Sequence, residues 1–166
     1  MGTISVNASG TLEWHGRSYR CAVGRGGVAA NKEEGDGVTP AGTFALREVR
    51  YRPDRIEALS TALPSSPLSP NDGWCDDPAD AEYNRRVTVP YAKSAESLWR
   101  DDHLYDLIVV IGYNDDPPVS GKGSAIFMHV AREGYSPTAG CIALSKDDLL
   151  AIVRSVAKDT TIEIVP

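Results

Sequence analysis

Apolar and polar residues alternate with a period of two along much of the first half of the chain. That spacing predicts half-buried strands. Residues 3–6 (TISV) and 11–14 (TLEW) alternate on either side of a turn at NASG, and residues 17–24 (RSYRCAVG) form another such run that ends at glycine. Residues 42–51 (GTFALREVRY) make a further strand, with Phe44, Leu46 and Val49 expected inside. Between these last two runs lie residues 24–42, rich in Gly, Asp and Pro, which predict a long ordered loop of the kind that often carries function.

The later pattern is more apolar. Residues 54–63 (DRIEALSTAL) predict a short helix stopped by Pro64, and residues 94–99 (SAESLW) a second. Residues 65–84 are dense in Pro, Asp and Ser but include Trp74, Cys75 and Tyr83, so a packed loop is expected rather than disorder. Residues 85–91 (RRVTVPY) predict a strand, and the continuous run Leu107–Ile111 predicts one buried on both faces. Residues 124–130 (SAIFMHV) and 141–144 (CIAL) are further buried strands, and TTIEIV near the end is another. One convincing helix begins after Ser145, a good N-cap followed by Asp147 and Asp148 in the first turn, where acids suit the helix dipole. Its inward stripe is Leu149, Ile152, Val153 and Val156. No repeat or linker divides the chain, so residues 1–166 are expected to form one domain: mostly β, a sandwich or flattened barrel of mixed sheets, with one main C-terminal helix and short helices.

Composition narrows the function. Apolar content of 42% and charged content of 24% are those of an ordinary globular protein. The formal charge of −6 and the lack of any basic stripe argue against a nucleic-acid partner. No apolar run is long enough to insert in a membrane. The first residues, MGTISVNASGTLEW, have neither the basic start nor the apolar core of a signal peptide. The expected location is therefore the cytoplasm as the chain stands, or the periplasm and cell envelope if a leader has been removed. The three cysteines, Cys21, Cys75 and Cys141, are an odd set without CxxC spacing, so a disulfide framework is not expected.

His129 and Cys141 are the chemical centre of interest. His129 ends one buried strand, Cys141 opens the next, and a Gly- and Pro-containing loop joins them. Two adjacent strand ends can bring an imidazole and a thiol together, and an imidazole promotes thiol ionisation. Gly140 permits a sharp turn, and its N–H together with that of Cys141 is expected to form an oxyanion hole. The bland alternative is a buried structural cysteine beside an unrelated histidine. A zinc site would need two more ligands, and His15, His103, Cys21 and Cys75 follow no zinc spacing, so no metal and no cofactor is expected.

The segments MHV and SPTAGCIAL resemble the signature of the L,D-transpeptidase catalytic domain, also called the YkuD domain. Residues 35–44 (GDGVTPAGTF) resemble a second motif of that family, a TPxGxF-like turn between early strands, and the resemblance covers roughly residues 3–165. The family commonly has histidine two residues before the cysteine and Asn or Arg two residues after it, where this chain has Ala139 and Ala143. The TAGCIA form, with residues 73–84 and 105–114, resembles a divergent branch linked to 1,3 rather than 3,3 crosslinks.

The resemblance implies roles residue by residue. Cys141 matches the nucleophile that forms a thioester with a peptidoglycan stem peptide, and His129 matches its base, oriented by a following backbone carbonyl. Gly140 matches the glycine before the nucleophile and Thr138 the Ser/Thr position. Tyr113 and Asn114, after Gly112, are expected beside the site. The partners implied are donor and acceptor stem peptides bearing diaminopimelate, whose amine and carboxylate call for both signs of charge. Trp74, Asp76, Asp77, Tyr83, Asn84 and Arg85, with Arg86, offer that mixture. Two rivals keep the fold: a cytoplasmic L,D-carboxypeptidase that uses water in place of an amine, and an inactive peptidoglycan-binding module.

Overall fold

The computed structural model describes residues 2–166. Strands dominate, as the alternation predicts. They are β1 (Thr3–Asn7), β2 (Thr11–Trp14), β3 (Arg17–Arg20), β4 (Val28–Ala29), β5 (Thr39–Pro40), β6 (Gly42–Tyr51) and β7 (Ser65–Pro67). Then come β8 (Asp72–Cys75), β9 (Arg86–Thr88), β10 (Ala95–Ser97), β11 (Leu107–Ile111), β12 (Phe127–Val130) and β13 (Ile142–Leu144). The helix α1 (Lys146–Ser155) and β14 (Thr161–Val165) close the series.

The main sheet is mixed and nine-stranded, in the order β13-β12-β11-β6-β14-β1-β2-β3, with β7 beside β6. Its pairs β1/β14, β12/β13 and β6/β7 are parallel. The final strand thus lies in the middle of the sheet, between β6 and β1.

Period-two alternation sends successive residues of β11, β12 and β13 to opposite faces. Leu107, Val109, Ile111, Met128, Ile142 and Leu144 face the larger core, which α1 covers with Leu149, Ile152 and Val153. Ile108, Val110 and Phe127 face a second apolar cluster that includes Trp74, Tyr105 and Cys141. A three-stranded sheet, β10-β8-β9, lies on that side. Burial on both faces explains why these strands read as continuous apolar runs.

Ser145 caps α1, its Oγ accepting from the Asp148 N–H at 3.2 Å. Val156, expected within the helical stripe, is instead the extended C-cap residue and still buried.

Neither of the two short helices forms. At residues 54–63 a single turn closes, with the Ile56 N–H on the Arg52 carbonyl, and then Ala58 enters the left-handed region at φ 46°. Arg55 reaches away to the Asp102 carbonyl and the Asp106 carboxylate, so tertiary contacts decide this segment. Residues 95–97 are a strand because β8 pairs with them, Glu96 opposite Trp74. Among the described residues α1 is the one α-helix.

Candidate active site

β12 and β13 are adjacent and parallel, with Met128 opposite Ile142 and His129 opposite Ala143. Cys141 is one step before Ile142 and so falls beside Phe127, whose N–H points at the sulfur at 3.4 Å. Residues two apart on a strand share a face. His129 and Cys141 therefore occupy the same face of neighbouring strands as diagonal neighbours. Both line one cavity of about 440 Å³.

The imidazole is held by its own strand. His129 Nδ1 lies 2.9 Å from the Val130 carbonyl oxygen. A carbonyl only accepts, so Nδ1 carries the proton and Nε2 keeps a free lone pair. The Tyr105 ring meets the imidazole edge-on with centroids 5.4 Å apart. Arg100, bonded through Nε and Nη2 to Asp102, lies with its guanidinium carbon 5.3 Å from the Tyr105 ring centroid.

Both reacting groups rest uncharged. Burial pushes the Cys141 thiol up to about 12, with the charge of Glu96 adding to it and the Phe127 N–H and the charge of Lys32 acting against it. Burial also drives His129 down to about 4. The thiol donates to the Ala125 carbonyl at 3.2 Å. At neutral pH the site holds a thiol and a neutral imidazole, an arrangement in which the proton moves only as the sulfur attacks.

The turn before Cys141 is built differently from the expectation. Gly140 has φ +143°, and a Cβ there would come 2.9 Å from the Val38 carbonyl oxygen, so glycine is required. Its N–H, however, is not open: it donates to Thr138 Oγ1 at 3.1 Å. The same hydroxyl donates to the Cys141 carbonyl at 2.6 Å. Thr138 thus spans the turn before the cysteine, and the expected oxyanion hole loses one of its two amides. Thr39, in the early glycine-rich loop, holds the Gly140 carbonyl at 2.9 Å. Main-chain bridges join Ala22 to Ala143 and Gly24 to Thr138, so the early loop and the nucleophile's loop form one unit.

The remaining candidates separate. Asp76 lines the cavity and accepts from Ser94 Oγ at 2.6 Å. Asp77 accepts from the Ala79 N–H as a turn former. Tyr83 is buried, donating to Glu34 at 2.7 Å and accepting from the Gly123 N–H at 2.9 Å. Asn84 is buried and saturated: it accepts from Trp74 Nε1 and the Ala125 N–H and donates to the Tyr113 and Asn114 carbonyls. Tyr113 and Asn114 tie the 119–123 loop, through Lys122, Val119 and Gly123. Trp74, Asn84, Arg85 and Arg86 border a second, smaller cavity. Cys21 and Cys75 are buried and free. Among the described residues no cluster of His, Cys, Asp or Glu is arranged to hold a metal.

Several cavity residues had no signal in the sequence. Glu96 comes from a segment that reads as a helix, and its carboxylate is the acceptor for the Tyr105 hydroxyl. Lys32, Arg100 and Arg132 add positive charge to the same cavity.

Comparison with known proteins follows this geometry. L,D-transpeptidase 1 of Mycobacterium tuberculosis superposes with a TM-score of 0.44 at 14% identity, covering 99% of this chain. This chain spans 58% of that one. No curated protein matches the sequence. The model of the L,D-transpeptidase catalytic domain, YkuD, matches residues 4–164. The chain therefore belongs to the L,D-transpeptidase catalytic domain family.

Proposed function

We propose that residues 1–166 act as one catalytic domain that transfers acyl groups between peptidoglycan stem peptides through a thioester on Cys141. As the Cys141 sulfur attacks a stem-peptide carbonyl carbon, His129 Nε2 takes the thiol proton and the carbonyl π pair moves onto oxygen. When the C=O re-forms, the C–N bond breaks and the leaving amine takes the proton from the imidazolium. An acceptor amine then attacks the thioester and gives its proton to Nε2, the C–S bond breaks, and the imidazolium returns that proton to the departing sulfur. The observation that carries this reading is the Val130 carbonyl on His129 Nδ1, which leaves Nε2 as the accepting nitrogen on the face and in the cavity of Cys141.

Ala143 stands directly opposite His129, and Ala139 lines the same cavity. Small residues at both positions leave room beside the reacting pair, which supports a donor stem seated differently from the common pattern and cut between its first and second residues, giving 1,3 crosslinks. Asp76 and Glu96 supply negative charge for the substrate amine, and Arg100 and Arg132 positive charge for its carboxylates.

The test is incubation with a purified disaccharide-tetrapeptide and mass spectrometry of the products. A crosslinked dimer absent with Cys141→Ala supports transfer. Loss of terminal D-alanine alone would make the enzyme an L,D-carboxypeptidase, and binding without turnover would make it a passive module. A carbapenem adduct on Cys141→Ala would remove Cys141 as nucleophile.

A further inference from the structure

Lys32 is the unusual group of this cavity. Its side chain is 3% exposed, although it belongs to a loop of glycines and acids. Nζ pairs with Asp36 Oδ1 at 3.0 Å and approaches the Glu33 carbonyl at 3.4 Å. Its stem passes over Gly123, where a Cβ would come 2.8 Å from Lys32 Cε, so only glycine admits it. The ammonium ends against the nucleophile's turn: a Cβ on Gly140 would lie 3.4 Å from Nζ. A buried ammonium is costly unless it faces negative charge. Asp36 meets the ammonium on one side and also accepts from the Glu33 and Val38 N–H groups, while Lys32 lines the cavity of Cys141. Lys32 and Cys141 line that same cavity, and the charge of Lys32 acts on the thiol. With the Gly140 N–H engaged by Thr138, the turn is short of a donor for the developing oxyanion.

We propose that Lys32 is a catalytic residue of this site, its buried ammonium beside Gly140 holding the negative charge that passes from the Cys141 sulfur to the substrate's carbonyl oxygen. The inference rests on the acyl-transfer reading. Lys32 stays protonated throughout: it donates a hydrogen bond and moves no proton, while His129 carries the one proton that travels. The same positive charge favours the thiolate, opposing burial and the charge of Glu96, which hold the Cys141 thiol up.

The test compares Lys32→Met, Lys32→Arg and Asp36→Asn with the parent protein and Cys141→Ala. Alkylation of Cys141 by uncharged iodoacetamide at pH 9 is followed by peptide mass spectrometry, and kcat and KM are measured for the tetrapeptide reaction. Lys32→Met should slow alkylation about tenfold and kcat about 100-fold, with little change in KM. Lys32→Arg should recover much of both, and Asp36→Asn, which keeps the ammonium, should leave alkylation near the parent rate. A folded Lys32→Met with parental alkylation and kcat overturns the proposal. Equal losses in Lys32→Met and Asp36→Asn, tracking their melting temperatures, overturn it too. Lys32→Gln serves if the Met variant does not fold. Retained activity in Cys141→Ala would defeat the acyl-transfer reading, whereas an inactive Cys141→Ala beside an unimpaired Lys32→Met would defeat only the role of Lys32.

Discussion

His129 donates from Nδ1 to the carbonyl oxygen of Val130, the next residue of its own strand, at 2.9 Å. The imidazole is thus oriented by main chain, and no carboxylate is needed to fix its tautomer. Its electrostatic state follows from burial and can be read in pH profiles.

Activity should persist in acid further than for an ordinary histidine enzyme. His129 must be neutral to accept the thiol proton, and burial lowers it to about 4. We expect kcat/KM to stay level from pH 7 to about 5 and to halve near 4. An acid limb centred near 6.5 would show that the imidazole is solvated in the working enzyme.

The same burial has a stability consequence. The unfolded imidazole takes its proton at 6.5, the folded one only at about 4. Between these values the unfolded chain binds more protons, so stability falls as pH drops through that window, by up to about 3 kcal/mol. Urea titrations at pH 7, 5.5 and 4 test this. His129→Gln, which has no charge to suppress, should flatten the slope across the window, and an unchanged slope would assign it to other groups.

Thr138→Ala removes the hydroxyl that joins the Gly140 N–H to the Cys141 carbonyl. We expect kcat to fall about tenfold, or about 1.4 kcal/mol, with KM little altered. Thr138→Ser should restore most of it. A kcat that survives in both Ala and Val variants would show that the turn holds its shape without the hydroxyl.

Asn84→Ala strands Trp74 Nε1 and the Ala125 N–H, both bonded to Asn84 Oδ1. Leaving buried donors unpaired should destabilise the fold by about 2–3 kcal/mol. Asn84 also sits at φ 57°. Asn84→Gly should be about 1 kcal/mol less damaging than Asn84→Ala, since only the latter adds left-handed strain. Denaturation midpoints give the comparison, and equal losses would mean the backbone contributes nothing.

What the sequence discloses depends on whether a residue's role is local. β11 and β12 are legible because burial on both faces writes an apolar run, and α1 because Ser145 and its two acids mark its start. The pairing of His129 with Cys141 follows from two strand ends joined by a loop. The strand at Ala95–Ser97 is not legible, because β8 supplies its partner from a distant segment. Residues 54–63 look helical, yet Arg55 is drawn off to Asp106. Lys32 resembles a solvated loop charge, and nothing nearby in the chain reports that Gly123 and Gly140 close over it. Asn84 reads as a ligand-binding amide, but every polar atom of its side chain is spent on the protein.

The place of β14 between β6 and β1 governs how the main sheet can close. In the strand order of that sheet, the ribbon β1-β2-β3 pairs with the other strands through β14. Closing the sheet therefore needs residues 3–7 to find residues 161–165, a pairing far apart in sequence, and such long loops close slowly.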